Sequence, residues 1–305
     1  MFEFPKNLLE FDKMFSSDEK CLLFLEQVRW RAGFICQSCG ADKYWQLGPG
    51  LRRCCSCRFK NYVRAGSIFD SSRLSLRTWF HAIWFVTTQK TGVSALNLQK
   101  NIGLGSYRSA WLLLHKIRNA MIHPDRSLLQ GDVEIDEVFI GGVRSGKRGR
   151  GAEGKELIVI AAECSGTKRV GRARAQRIPN ASADVLEAFV LSAVAEGSTI
   201  HTDGWPSYNR LNDLGYKHVP RPSNTVGPDD LLPRVNIVAS LLKRWLLGTL
   251  HGRLGAKHMD YYFEEFIFRF NRRTSKVRGL LFQRVIENSF RVDPTPYREI
   301  VARKT

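Results

Sequence analysis

Long hydrophobic runs are missing from this 305-residue chain. No stretch of eighteen apolar residues occurs, which argues against a membrane-spanning helix. The opening Met1-Phe2-Glu3-Phe4-Pro5-Lys6 also lacks the basic-then-apolar layout of a signal peptide, so a cytoplasmic, nucleoid-associated protein of a bacterial cell is expected. Acidic residues are few: 29 Asp and Glu stand against 47 Lys and Arg, a formal charge of +18. Such an excess says little about fold, but it favours polyanionic partners through long-range attraction and counterion release. The cations are spread along the chain rather than gathered in one tail, which fits an extended nucleic-acid footprint better than a membrane-surface role. Cysteine is scarce outside one segment. Of seven, only Cys21 and Cys164 lie apart from Cys36, Cys39, Cys54, Cys55 and Cys57. That crowding argues against a disulfide framework and for a metal site in a reducing compartment. Internal repeats and low-complexity tracts are absent too.

What is present suffices for one large or two to three small domains. Residues 1–30 form an N-terminal helical segment, 31–66 a cysteine- and arginine-rich segment, and 67–126 a helical segment. Residues 127–290 have mixed α/β character, and 291–305 are a C-terminal tail. Within 127–290, strand-like runs cover Val133–Ile140, Leu157–Glu163 and Val170–Arg177. A periodic helix (Ala183–Ala195), a strand ending at Asp203 and a long helix from about Val235 to Leu250 follow. The order β-β-β-α-β-α reads as a mixed α/β sheet.

Cys36-Gln-Ser-Cys39 and Cys54-Cys-Ser-Cys57 give the spacing C-x2-C-x14-C-x2-C. Each C-x2-C turn offers two sulfurs to a tetrahedral Zn²⁺, and four thiolates leave no open coordination position, so the zinc is structural. Cys55 is a rival to Cys54. The flanking Arg52, Arg53, Arg58, Lys60 and Arg64 alternate with Tyr44, Trp45, Phe59 and Tyr62, which suits either nucleic-acid contact or a small core. Further on, residues 94–102, the turn Gly103-Leu104-Gly105 and residues 106–121 read as helix, turn, helix, with Ser106 as N-cap. Tyr107, Arg108, Lys116 and Arg118 are assigned to the exposed face, and Trp111, Leu112, Leu114 and Ile117 to packing. A DNA-recognition helix needs that division, and so does an ordinary αα-hairpin.

Asp136 ends the run Val-Glu-Ile-Asp, and Asp203 ends Ser-Thr-Ile-His-Thr-Asp. RNase-H-like nucleases carry one Asp on the first strand, another on the fourth and a third ligand on a later helix. There, two divalent ions activate a nucleophile and stabilise the leaving oxygen. Asn236 takes the third position, and Ser240 and Lys243 share its helix face. Lys243 suits a substrate phosphate. Asn236 supplies an amide oxygen where a carboxylate is expected, so Asp229, Asp230, Glu264 and Glu265 are rivals. Glu134 shares the face of Asp136 and is a candidate helper, whereas Glu137 alternates away. His201 shares the face of Asp203 and either borders the site or packs. The loop after the first strand carries Arg144, Lys147, Arg148 and Arg150 among glycines and suits a DNA backbone. In the cluster Lys168, Arg169, Arg172, Arg174 and Arg177, the alternation of Arg172 and Arg174 predicts one exposed strand face.

At these residues the chain resembles the IS1595 (ISXO2-like) family of insertion-sequence transposases. The resemblance rests on Glu-Ile-Asp-Glu-Val-Phe-Ile-Gly-Gly (134–142), Lys-Arg-Gly-Arg-Gly-Ala-Glu-Gly-Lys (147–155) and Thr-Asp-Gly-Trp-Pro-Ser-Tyr (202–208). It continues through Val-Ala-Ser-Leu-Leu-Lys-Arg-Trp-Leu-Leu-Gly-Thr (238–249) and Phe-Arg-Phe-Asn-Arg-Arg (268–273). It implies an RNase-H-like catalytic domain preceded by a zinc ribbon and a helix-turn-helix-like DNA-binding segment. It also implies Mg²⁺- or Mn²⁺-dependent DNA cleavage and joining, and recognition of terminal inverted repeats. Asp136, Asp203 and Asn236 are then the metal ligands, with Lys243 beside them; Arg108, Lys116, Arg144, Lys147, Arg148 and Arg150 contact DNA. The partners expected are double-stranded DNA, both repeat and target, and further copies in a dimer or higher assembly. The rival reading is a non-catalytic regulator that binds DNA through the ribbon and helical segment and carries an inactive RNase-H-like domain.

Overall fold

The computed structural model describes residues 4–122, 126–141, 155–166, 169–222, 231–250 and 256–301. Two compact units divide the chain: Met1–Pro124 with Ser275–Thr305, and Asp125–Thr274.

The first unit opens with α1 (Leu8–Met14) and α2 (Asp18–Arg29). Each begins at a side chain that takes up an orphan amide: Asn7 Oδ1 accepts from Glu10 N–H at 3.0 Å, and Ser17 Oγ from Lys20 N–H at 3.3 Å. Strands β1 (Tyr44–Gly48), β2 (Leu51–Cys54) and β3 (Lys60–Tyr62) form an antiparallel ribbon. Next, α3 (Leu76–Thr88) buries Trp79, Phe80, Ile83 and Trp84. Ser94 caps α4 (Ala95–Ile102) and Ser106 caps α5 (Tyr107–Asn119). Between them Gly103 adopts a φ of 67°, the left-handed geometry that glycine takes without strain, and the Leu104 N–H returns to the Gln99 carbonyl at 3.0 Å.

The second unit is one five-stranded sheet covered on both faces. In chain order it contains β4 (Asp132–Ile140), β5 (Glu156–Ser165), β6 (Arg169–Ile178), α6 (Ala183–Ala193) and β7 (Thr199–Thr202). A 3₁₀ turn (Pro206–Leu211), β8 (Lys217–Pro220), α7 (Pro233–Leu250) and α8 (Met259–Phe270) follow. The spatial order is β6-β5-β4-β7-β8, with β4, β5 and β6 antiparallel and β7 and β8 parallel to β4. Counted within the sheet this is 3-2-1-4-5, the mixed sheet of an RNase-H-like domain. Alternation along β4 sends Val133 and Ile135 to a core with Leu186, Phe189 and Val190 of α6, and Val138 and Ile140 to one with Val238 and Leu242 of α7 and Phe263 of α8.

Two polar devices fix this unit. Glu134, fully buried on β4, accepts from the Arg234 and Val235 amides at 2.6 and 3.0 Å and from the Arg234 guanidinium at 3.0 Å. It therefore caps the start of α7 with a charge suited to the helix dipole. This corrects the expectation that Glu134 helps at the site: its carboxylate is occupied by the helix. Glu134→Ala removes the charged partner of the Arg234 guanidinium and should destabilise this unit by about 3–5 kcal/mol, read as a lower urea midpoint. At the β6 edge, Asn271 mimics a neighbouring strand, accepting from Ala173 N–H at 2.7 Å and donating to Ala173 C=O at 3.0 Å. Arg273 covers the Val170 and Gly171 carbonyls beside it. The Phe-Arg-Phe-Asn-Arg-Arg stretch thus closes an open sheet edge. Asn271→Ala should lower stability by about 1–3 kcal/mol, measurable by thermal melting.

The chain then returns to the first unit. There α9 (Arg278–Asn288) buries Phe282 among Phe11, Phe15, Phe24, Phe80 and Trp84, and α10 (Tyr297–Val301) packs on α5. The sequence-based boundary at 290 thus falls beyond the structural one, because α9 supplies the middle of an aromatic cluster laid down by α1, α2 and α3.

Candidate functional site

The ribbon gathers four sulfurs. Cys36 and Cys57 Sγ lie 3.6 Å apart, as do Cys39 and Cys54, and all four atoms fall within 4.8 Å of one another. A tetrahedral ion with bonds of about 2.3 Å needs sulfurs about 3.8 Å apart, so number, spacing and softness all fit Zn²⁺. Burial opposes ionisation of Cys36, but hydrogen bonds from the Ser38 and Cys39 amides, Asn61 and Cys57 outweigh it and bring its thiol down to about 6. Cys54 belongs to the four-sulfur cluster, and Cys55 stands outside it. Cys21 is buried, with its thiol pushed up to about 12 by burial, and Cys164 is half-buried; both are packing residues.

On α5 the structure departs from the expected division of faces. Ala110, Leu113, Leu114, Ile117 and Arg118 form its buried stripe, with Arg118 only 1% exposed. Lys116 is half-buried, and that burial lowers its pKa. Both were expected outside because they are cationic, yet their helical positions follow the stripe. Tyr107 and Arg108 at the start of α5 are exposed as expected, and the Arg108 guanidinium sits 4.7 Å over the Tyr297 ring. Arg144, Lys147, Arg148 and Arg150 lie outside the described residues, as do Lys168, Asp229 and Asp230.

The second unit brings the acidic residues together. β7 pairs with β4 from Asp132↔Thr199 to Glu134↔His201. Asp203 follows β7 by one residue and Asp136 lies two residues beyond the last β4–β7 pair, so adjacent parallel strands carry both to the same end of the sheet. Both line one cavity of about 670 Å³ with Glu137, Lys155, Glu156, Arg177 and Asp260. Burial, then the charge of Glu137, and then that of Asp203 push the Asp136 carboxyl up to about 7, against the Glu137 amide and Lys243, which pull it down. The Glu137 N–H donates to Asp136 Oδ1 at 2.8 Å, and the Trp205 N–H to Asp203 Oδ1 at 2.9 Å. Oxygen donors that outnumber the cations beside them are the set that suits a hard divalent cation such as Mg²⁺ or Mn²⁺.

Asn236 and Lys243 are exposed on one flank of α7 and do not line this cavity, although Lys243 is near enough to favour the charged form of Asp136. The other flank, with Ile237 and Leu241, lines a second cavity against β5 and β6. Glu264 pairs with Arg126 at 2.8 Å, and Glu265 is fully buried; neither lines the acidic cavity, whereas Asp260 of the same helix does. His201 Nε2 meets Asp132 Oδ1 at 2.9 Å under nearly complete burial, a packed position. The strand face expected to present Arg172 and Arg174 is largely closed. Arg172 is fixed by Glu163 at 2.5 Å and by Ser127, and Arg174 is 7% exposed and donates to the Ser127 carbonyl at 2.7 Å.

Sequence reading set Glu137 aside because it alternates away from Asp136. It lines the cavity because β7 stops short: past Glu134 one side of β4 has no partner strand, so both faces of β4 open to the same space. The buried Tyr208 hydroxyl donates to Glu137 Oε1, and burial with that carboxylate raises the phenol well above its ordinary pKa. Tyr208 belongs to the Thr-Asp-Gly-Trp-Pro-Ser-Tyr stretch, where its fixed distance from Asp203 was the available signal.

Among the described residues no helix is long and apolar enough to cross a membrane. Residues 128–271 match the ISXO2-like transposase domain, and residues 16–60 match the transposase zinc-ribbon domain of the same IS1595 group. An uncharacterized protein in transposable element ISH50 of the archaeon Halobacterium salinarum is 26% identical over 223 residues, 66% of this chain and 72% of that one. This relative gives no support to the bacterial setting expected from the sequence. A chain in the cryoEM structure of the simian T-cell lymphotropic virus intasome in complex with PP2A regulatory subunit B56 gamma aligns over 70% of this chain and 75% of its own. Its identity is 16% and its TM-score 0.32, a likeness too slight to bear on the assignment. With its zinc ribbon and its sheet domain each matched to the same group, the chain belongs to the IS1595 (ISXO2-like) transposase family.

Proposed function

We propose that this protein binds the terminal inverted repeats of its own insertion sequence and catalyses DNA strand cleavage and strand transfer. The observation that carries the reading is that adjacent parallel strands deliver Asp136 and Asp203 into one cavity, with the Asp136 carboxyl held up by burial and by the charges of Glu137 and Asp203. Asp136 and Asp203 would hold Mg²⁺ or Mn²⁺; Asn236, which stands outside the cavity on the exposed flank of α7, is the third position that the family resemblance implies. When bound, the metal supplies activation of the attacking oxygen and stabilisation of the leaving one. Glu134 fixes the start of α7, and so the approach of Asn236 and Lys243 toward β4. Lys243 holds a substrate phosphate as a point charge. The Trp205 amide orients Asp203, and Tyr208 holds Glu137 away from the bound phosphate. Water and then a freed 3′-hydroxyl act as successive nucleophiles in line with the departing oxygen. Exposed Arg108 and the basic residues 144–150 contact DNA, and two ends processed together require a dimer or higher assembly.

The test is strand transfer from a pre-cut end duplex into plasmid in Mg²⁺, comparing wild type with Asp136→Ala. Joined product from wild type alone, with equal end binding by both proteins, supports the proposal. End binding without joining by either, in Mg²⁺ or Mn²⁺, supports a DNA-binding regulator instead.

A further inference from the structure

The two faces of the ribbon sheet have different surroundings. Tyr44, Gln46, Arg52, Cys54 and Asn61 lie on the face turned toward Trp30 and α2, with Tyr44 itself 39% exposed. There Arg52 is sandwiched between Trp30 and Tyr44, at 3.9 and 4.2 Å from their ring centres, and Gln46 reaches Glu26 of α2. The register places Trp45, Arg53 and Lys60 in one row across the opposite face, with Leu51 and Tyr62 in the next row. Trp45 is 42% exposed and Tyr62 51%, so neither ring is part of a core. The Arg58 guanidinium stacks 4.3 Å over Trp45, and none of these positions is acidic.

Two large rings lying open among Arg53, Arg58 and Lys60 match a polyanion that carries flat, apolar faces. We propose that this outer face binds unpaired DNA by stacking bases on Trp45 and Tyr62 while the cations meet the adjoining phosphates. Duplex DNA fits less well. Three strands about 4.8 Å apart span about 10 Å of backbone before side chains are added, whereas a major groove about 12 Å wide accepts a helix or a two-stranded ribbon. Bases stacked inside a duplex also present no free π-face. The rings stand two strands and two residues apart, about 12 Å, so each takes its own base and the cations between them serve the intervening backbone. Sequence tolerance follows, because every base has a face to stack. The inference rests on DNA being the substrate and adds frayed or nicked ends as the form this module holds.

The test uses the full-length zinc-loaded protein and fluorescence anisotropy at fixed salt. The probes are a labelled oligo-dT of about twelve nucleotides and a mixed-sequence duplex of the same length. Trp45→Ala and Tyr62→Ala should each weaken oligo-dT binding about 5- to 100-fold, with duplex affinity and zinc content unchanged, and Trp45→Phe should restore most of the loss. Unchanged oligo-dT affinity in both variants overturns the proposal, as does equal loss on the two probes. Wild type that binds the duplex and cleaves it but ignores oligo-dT also overturns it while leaving the transposase reading standing. Failure of cleavage with intact single-strand binding does the reverse.

Discussion

Asp136→Asn should stabilise the metal-free protein at pH 8 while abolishing its reaction. The folded Asp136 carboxyl is raised from 3.8 to about 7, so its ionisation opposes folding. For a raised pKa the contribution to stability is fully present below the unfolded value, near 4, and is lost as pH rises through 7. About three pKa units correspond to roughly 4 kcal/mol at most, drawn out of this unit between pH 4 and 7. Asparagine carries no charge to be penalised. Melts without added divalent cation should therefore show the variant several degrees above wild type at pH 8, with the two converging near pH 4. Cleavage by the variant should fall by about a thousand-fold or more, the scale expected when a metal-ligating charge is removed. An aspartate with only a structural role would lower both quantities, so the opposite signs identify a group held in a strained state for function.

Removing the zinc should unfold the ribbon and leave the sheet domain folded. The ribbon has three short strands and a core of Phe34, Cys36 and Cys54, with Trp30 and Ala41 packed against it. That is too little apolar surface to hold about thirty residues without a cross-link. A structural zinc of this type contributes on the order of 10 kcal/mol of apparent folding free energy. Cys54→Ser, or chelation of wild type, should abolish hydrogen-exchange protection in the strands Tyr44–Gly48 and Leu51–Cys54. Protection in Asp132–Ile140 and Glu156–Ser165 should persist. Cys55→Ser should retain zinc, since Cys55 stands outside the cluster. Retained ribbon protection after quantitative zinc loss would contradict this account.

The parts of the fold that were legible in the sequence are those encoded locally. Paired C-x2-C turns, the serine cap at Ser106, and strand runs ending at Asp136 and Asp203 depend on neighbours a few residues away. What escaped depends on distant partners. Glu134 looked like a spare carboxylate because the amides it caps lie one hundred residues downstream on α7. Glu137 looked misdirected because alternation assumes a strand paired along its whole length, and β7 ends before it. Arg118 was assigned to the surface by its charge and Arg174 by its alternation with Arg172, yet both are almost fully buried, which only the packing of their elements reveals. Membership of α9 in the first unit could not be read either, because the aromatic partners of Phe282 include Phe80, 202 residues earlier in the chain, and Phe11, 271 residues earlier.

The proposed function requires Asp136 and Asp203 to act together on a DNA phosphodiester. The direct measurement is Mg²⁺-dependent cleavage of a duplex carrying the element's own end, for wild type and Asp203→Ala, with binding followed in parallel. Cleavage by wild type, none by the variant and equal affinity for the end are expected. Cleavage that survives in Asp203→Ala would contradict that requirement.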